Sequence, residues 1–105
     1  MSDTTVHLLT IVSEAVLQAR LTHEAEACGA GGWTVTPCLG HSSDGTGAAD
    51  FEGGNVRIEV LVAGPQLDVL WRRLAESYLD TYSVVAWSHP VRVQRPDKYV
   101  TTLDA

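Results

Sequence analysis

Residues 55–78 read N-V-R-I-E-V-L-V-A-G-P-Q-L-D-V-L-W-R-R-L-A-E-S-Y, and two periods meet inside them. Val56, Ile58, Val60 and Val62 alternate with Arg57 and Glu59, the pattern of a strand with one buried face. Leu67, Leu70, Trp71, Leu74, Ala75 and Tyr78 then recur at helical spacing and make an apolar stripe. Gly64-Pro65 separates the two periods, and Pro65 suits the first turn of a helix. A strand running directly into an amphipathic helix is half of a βαβ unit, so a further strand is expected after Tyr78.

That strand is read at Tyr82–Trp87 (YSVVAW), with Pro90 interrupting and Val91–Arg95 (VRVQR) continuing it or forming a short fifth. The N-terminal half repeats the plan. Residues 6–12 (VHLLTIV) are a buried strand, Ser13 is a helix N-cap, and Val16, Leu17, Leu21, Ala25 and Cys28 form one apolar face. Arg20 falls at the edge of that face, Gly29, Gly31 and Gly32 end the helix, and residues 33–39 (WTVTPCL) are a second strand. Pro37 places it at an edge or a bulge, since proline cannot donate to the ladder. Residues 40–54 (GHSSDGTGAADFEGG) read as a long loop, and loops of that length carry function. The order β-α-β, loop, β-α-β predicts an α+β, ferredoxin-like βαββαβ fold with an antiparallel sheet and both helices on one face. The strands are apolar on both faces, Leu8 and Leu9 being one example, so the uncovered face is expected to pack against other subunits.

The chain of 105 residues is expected to be a single domain, with a polar tail at about 96–105. Lys plus Arg is 7 and Asp plus Glu is 13, a net charge of −6 that excludes a nucleic-acid binder but not a cleft for a small anion. No apolar stretch approaches the ~20 residues that span a bilayer. Residues 1–5 lack a signal-peptide pattern, so the expected location is the cytoplasm. Two cysteines, Cys28 and Cys38, fit a reduced compartment, Cys28 as apolar filler and Cys38 with nothing nearby to activate it. There is no Ser-His-Asp order, no paired-carboxylate signature and no P-loop, so no enzyme is expected. His7, His23, His41 and His89 match no metal-ligand spacing, which leaves a metal site to spatial proximity alone.

Gly31-Gly32-Trp33-Thr34-Val35-Thr36 resembles the Gly-x-Thr-Val-Thr segment that ends the second strand of P-II-like signalling proteins. Residues 55–60 resemble their third strand, and the stretch at about 40–54 occupies the place of their T-loop. Ser77-Tyr78-Leu79-Asp80-Thr81-Tyr82-Ser83 resembles the Tyr-Phe-x-x-Tyr-Ala segment of the inorganic-carbon branch, which includes a bicarbonate-transporter regulator and carboxysome-associated P-II-like proteins. The resemblance covers about residues 6–95. It implies a homotrimer with adenine nucleotides at intersubunit clefts: ADP or AMP, with ATP and cyclic AMP as further candidates, and bicarbonate as a second effector. The implied partner is a membrane bicarbonate transporter or a carboxysome component. The sequence departs from the archetype at the Gly- and Lys-rich phosphate loop, whose place is taken by Asp80-Thr81-Tyr82-Ser83, and residues 40–55 carry no tyrosine.

The resemblance implies that Thr34, Thr36 and Gly40 begin the nucleotide cleft, where glycine also serves any tight turn. Glu59 is implied to take a ribose hydroxyl and Arg57 an anion, while the bare residues also read as a cross-strand ion pair. Arg92 and Arg95, with Lys98, are implied phosphate ligands, or else a basic edge that discourages aggregation. His41 and Ser42, beside Ser43, could hold bicarbonate or another oxyanion at the loop base. Trp33, Trp71, Trp87, Tyr78 and Tyr82 read first as packing or interface. Two other readings stay open: a divalent-metal-binding trimer like the cation tolerance proteins, and a ligand-free interaction protein of the same fold.

Overall fold

The computed structural model describes residues 5–40 and 54–100. β1 (Val6–Glu14) leads through a single 3-10 turn (Ala15–Leu17) into α1 (Gln18–Ala27). β2 (Trp33–Cys38) and β3 (Asn55–Ala63) follow, then α2 (Gly64–Ser77), β4 (Val85–Val91) and a one-turn α3 (Asp97–Val100). The sheet order is β2-β3-β1-β4, with every neighbouring pair antiparallel. This is the expected ferredoxin-like arrangement, and each βαβ unit leaves a gap that a strand of the other half fills.

Strand alternation sorts the sheet into two faces. Leu9 and Ile11 of β1 and Val56, Ile58, Val60 and Val62 of β3 are fully buried under the helices, with Leu17, Leu21, Ala25, Leu70 and Leu74 opposite them. Gln66 ties the two helices together. Its Oε1 accepts from the Ala63 amide at 3.0 Å, and its Nε2 donates to the Gly29 carbonyl at 2.7 Å. Gly29 sits at φ +92°, where a Cβ would be strained and would press on Gln66. The other face carries Leu8, Thr10 and Val12 of β1, Arg57, Glu59 and Leu61 of β3, and Val85 and Trp87 of β4. Neither α1 nor α2 covers it, and Val85 and Trp87 stand exposed there.

Four local readings are corrected. Ser13 is not a helix cap; it lies inside β1, fully buried, and its hydroxyl bonds to the Glu14 carbonyl. Val16 sits in the 3-10 turn and points to solvent, because that turn shifts the helical phase by a residue. Trp71 is half exposed: α2 packs on the sheet through the narrower line of Leu70 and Leu74. β4 begins at Val85 rather than Tyr82 and runs through Pro90. β4 is an edge strand bonded only to β1, so the missing proline N–H faces the open side. Residues 92–95 form no fifth strand.

Candidate functional site

Two rows of side chains cross the open sheet face. Thr34, Glu59, Thr10 and Trp87 are in register on four adjacent strands. Thr36, Arg57, Val12 and Val85 form the next row. The sequence alternation therefore brings Thr34, Thr36, Arg57 and Glu59 together. Arg57 Nε lies 3.8 Å from Glu59 Oε1, a pair along one strand rather than across two. Both groups are substantially exposed, so the pair is worth about 0–1 kcal/mol and can exchange partners at little cost.

The upper row opens into a cleft of about 170 Å³. Gly31, Gly32, Trp33 and Thr34 form one wall, Glu59 and Leu61 the floor, and Lys98 and Tyr99 the other wall. A four-residue helix, α3, returns the chain against β3 and places Lys98 Nζ 5.7 Å from the Tyr99 ring centre. Gly31 and Gly32 leave the backbone bare there, since a Cβ on Gly32 would meet nothing within 4 Å. The cleft thus gathers a hydroxyl, a carboxylate, an ammonium and an aromatic ring around exposed backbone. Arg92 and Arg95 are exposed beyond the end of β4 and are not part of that lining. Lys98 is the member of the basic cluster that reaches it, because the chain turns at Pro96 into α3.

At the loop end of the face, Gly40 follows β2 and lies against the Asn55 side chain. His41 and Ser42 fall outside the described residues, as does most of the stretch read as the T-loop. Glu14 and Asn55, in register with each other, were not singled out from the sequence. Both are buried. Glu14 Oε1 accepts from the Ser83 amide at 2.8 Å, while Asn55 Oδ1 has no hydrogen-bond partner among the described residues. The even positions of β1, Leu8, Thr10, Val12 and Glu14, carry the signal that could have placed Glu14 here.

The turn after α2 is closed on itself. The amides of Thr81 and Tyr82 both donate to the Tyr78 carbonyl, Val84 donates to Tyr82, and Leu79 donates to Leu74. With Ser83 bound to Glu14, this turn offers no row of free amides to a phosphate. Arg20 locks it from outside: its guanidinium lies 5.4 Å from the Tyr78 and Tyr82 ring centres and donates to the Tyr82 hydroxyl at 2.8 Å. Burial pushes the Tyr78 phenol up from its ordinary value, with Glu24 adding to the shift. Burial likewise pushes the Cys28 thiol up, and its Sγ bonds to the Ala25 carbonyl. Among the described residues no three His, Cys, Asp or Glu side chains are placed to hold a metal ion. No described helix is long and apolar enough to cross a membrane.

The family model described as nitrogen regulatory protein P-II matches residues 6–98. No curated protein matches the chain at a significant level. Among solved structures, a PII-like signaling protein from Thermus thermophilus is 38% identical, with a TM-score of 0.79 over 91% of this chain and 96% of its own. The CPII protein of Thiomonas intermedia, bound to ADP and bicarbonate, is 20% identical, with a TM-score of 0.80 over 90% of this chain and 94% of its own. CutA from Synechococcus elongatus is 16% identical, with a TM-score of 0.70 over 97% of each chain. At such identities the last two share the fold.

Proposed function

This chain belongs to the nitrogen regulatory protein P-II family, and from that premise we propose that it is a non-enzymatic regulator that binds an adenine nucleotide, ADP or AMP, at its open sheet face. The observation that carries this reading is the convergence of Gly31, Gly32, Thr34, Glu59, Lys98 and Tyr99 on one cleft. In it, Glu59 accepts from ribose hydroxyls, Thr34 and the bare glycine backbone hold polar edges, and Lys98 takes phosphate charge. Thr36 and Arg57, one row nearer the loop, hold a second oxyanion such as bicarbonate, with Gly40, His41 and Ser42 at the loop base. The exposed apolar residues of the same face, Val85 and Trp87 among them, favour a homotrimer that closes each cleft with a neighbouring subunit. Arg92 and Arg95 then serve a neighbour's cleft rather than their own.

The turn at 79–84 supports the preference for short phosphate chains. Its amides are engaged, so a triphosphate gains no loop there. CPII supports the ligand class, since its structures hold ADP, AMP and bicarbonate. We further propose that occupancy of the cleft changes docking to a partner in inorganic carbon uptake, either a bicarbonate transporter or a carboxysome component.

The test is calorimetric titration of the whole chain with AMP, ADP, ATP and cyclic AMP, each with and without bicarbonate. AMP or ADP should bind more tightly than ATP, and bicarbonate should strengthen the binding by the same factor by which the nucleotide strengthens bicarbonate. No heat from any nucleotide at millimolar concentration would overturn the reading and leave the ligand-free interaction protein in its place.

A further inference from the structure

On the far side of the molecule from the cleft, α1 and α2 diverge around a groove of about 540 Å³. Ala19, Arg20, His23 and Glu24 of α1 line it with Arg73 and Tyr78 from α2 and its end. That volume is in the range of small-molecule sites, roughly 300–1,000 Å³. Two guanidinium groups face it, and both are held in place although exposed. Arg73 is fixed by Glu24 at 2.8 Å. Arg20 is fixed by two tyrosine rings and one hydroxyl, none of which neutralises it. Among the described residues Arg20 forms no ion pair with a carboxylate. Immobilising a long exposed side chain costs rotamer entropy, and a neutral partner returns little of it. What remains is a fixed, uncompensated fork of N–H donors, the geometry that recognises a carboxylate or phosphoryl group.

We propose that this groove is a second ligand site, on the opposite side of the sheet from the nucleotide cleft, for a small-molecule oxyanion. The Arg20 fork binds the oxyanion, the Arg73–Glu24 pair forms the other wall as a compensated ion pair, and Tyr78 holds the fork in place. A small ligand is favoured over an acidic peptide by the chain's own charge. With a net charge of −6, long-range repulsion grows with the charge of the partner, while a single oxyanion meets Arg20, whose charge no carboxylate offsets among the described residues. The site is independent of the nucleotide reading.

The probes are inorganic phosphate and phenyl phosphate, followed by amide and arginine side-chain NMR shifts of the whole chain. Saturable shifts are expected at residues 19–24 and 73–78, with phenyl phosphate at least as tight as phosphate. Arg20→Gln should weaken the response about tenfold. Tyr82→Phe keeps the charge and loses one anchor, so it should weaken it by about threefold. Lys98→Gln, in the nucleotide cleft, should leave it unchanged, which separates the two sites. Circular dichroism of each variant checks the fold, and Tyr82→Phe remains informative if Arg20→Gln unfolds. Shifts that do not saturate at millimolar probe, or that survive Arg20→Gln intact, overturn the proposal. So does a hexaglutamate peptide that binds the groove more tightly than phenyl phosphate, since the groove would then be a peptide-docking surface.

Discussion

Two turns of this chain, each following a helix, end in opposite conditions. The turn at 79–84, after α2, spends its amides on its own carbonyls and on Glu14, and Arg20 clamps it from outside. The turn at 29–32, after α1, is closed at Gly29 and Ala30, whose amides donate to Glu26 and Ala25, but Gly31 and Gly32 beyond them open onto a cleft with Thr34, Glu59 and Lys98. A turn whose polar groups are satisfied contributes to stability. A turn that leaves them exposed beside a cleft is available to a ligand. The same helix-to-strand junction is thus closed in one half of the molecule and opens onto a cleft in the other.

The largest effect should come from breaking the closed turn. Glu14→Ala strands the part-buried Ser83 amide and should destabilise the fold by about 1–3 kcal/mol in denaturant unfolding. Its effect on ADP affinity should be smaller than its effect on stability. The open turn should respond in the reverse way. Glu59→Ala should weaken ADP about tenfold, near 1.4 kcal/mol, while the melting temperature moves little because the Arg57–Glu59 pair is exposed. Tyr82→Phe removes one exposed hydrogen bond from the clamp and should lower the melting temperature only slightly, with no change in ADP binding.

The smallest effect is on pH dependence. Cys28 and Tyr78 have folded-state pKa values raised by burial above ordinary values of 9.0 and 10.0. Raised acids bind more protons folded than unfolded, so their contribution is whole below pH 9.0 and is lost as pH rises through the folded values. Stability should therefore fall in alkali above pH 9.0, and Cys28→Ala should flatten the first part of that fall.

Much of the fold was legible because periods of 2 and 3.6 are local. The alternation in residues 55–62 placed Arg57 and Glu59 on one face, and Thr34 and Thr36 fell beside them across β2. The errors came where tertiary context overrides local pattern. Trp71 and Val16 fit helical stripes, yet the sheet is only wide enough to cover Leu70, Leu74, Leu17 and Leu21. Tyr82 looks like a strand residue, but Arg20, 62 positions away, holds it in a turn. The far wall of the cleft was hidden for a similar reason. Nothing local in Asp97-Lys98-Tyr99 says that a single helical turn will fold them back over Gly31. Glu14 and Asn55 were missed because their role depends on strand register, which a single segment does not contain.

The most direct measurement of nucleotide binding at the open cleft is a map of amide shifts on adding ADP to the whole chain. The shifts should concentrate at residues 31–36, 57–61 and 98–99, and residues 79–84 should stay nearly silent. Shifts centred on residues 79–84, or spread evenly with no focus at the cleft, would contradict binding there.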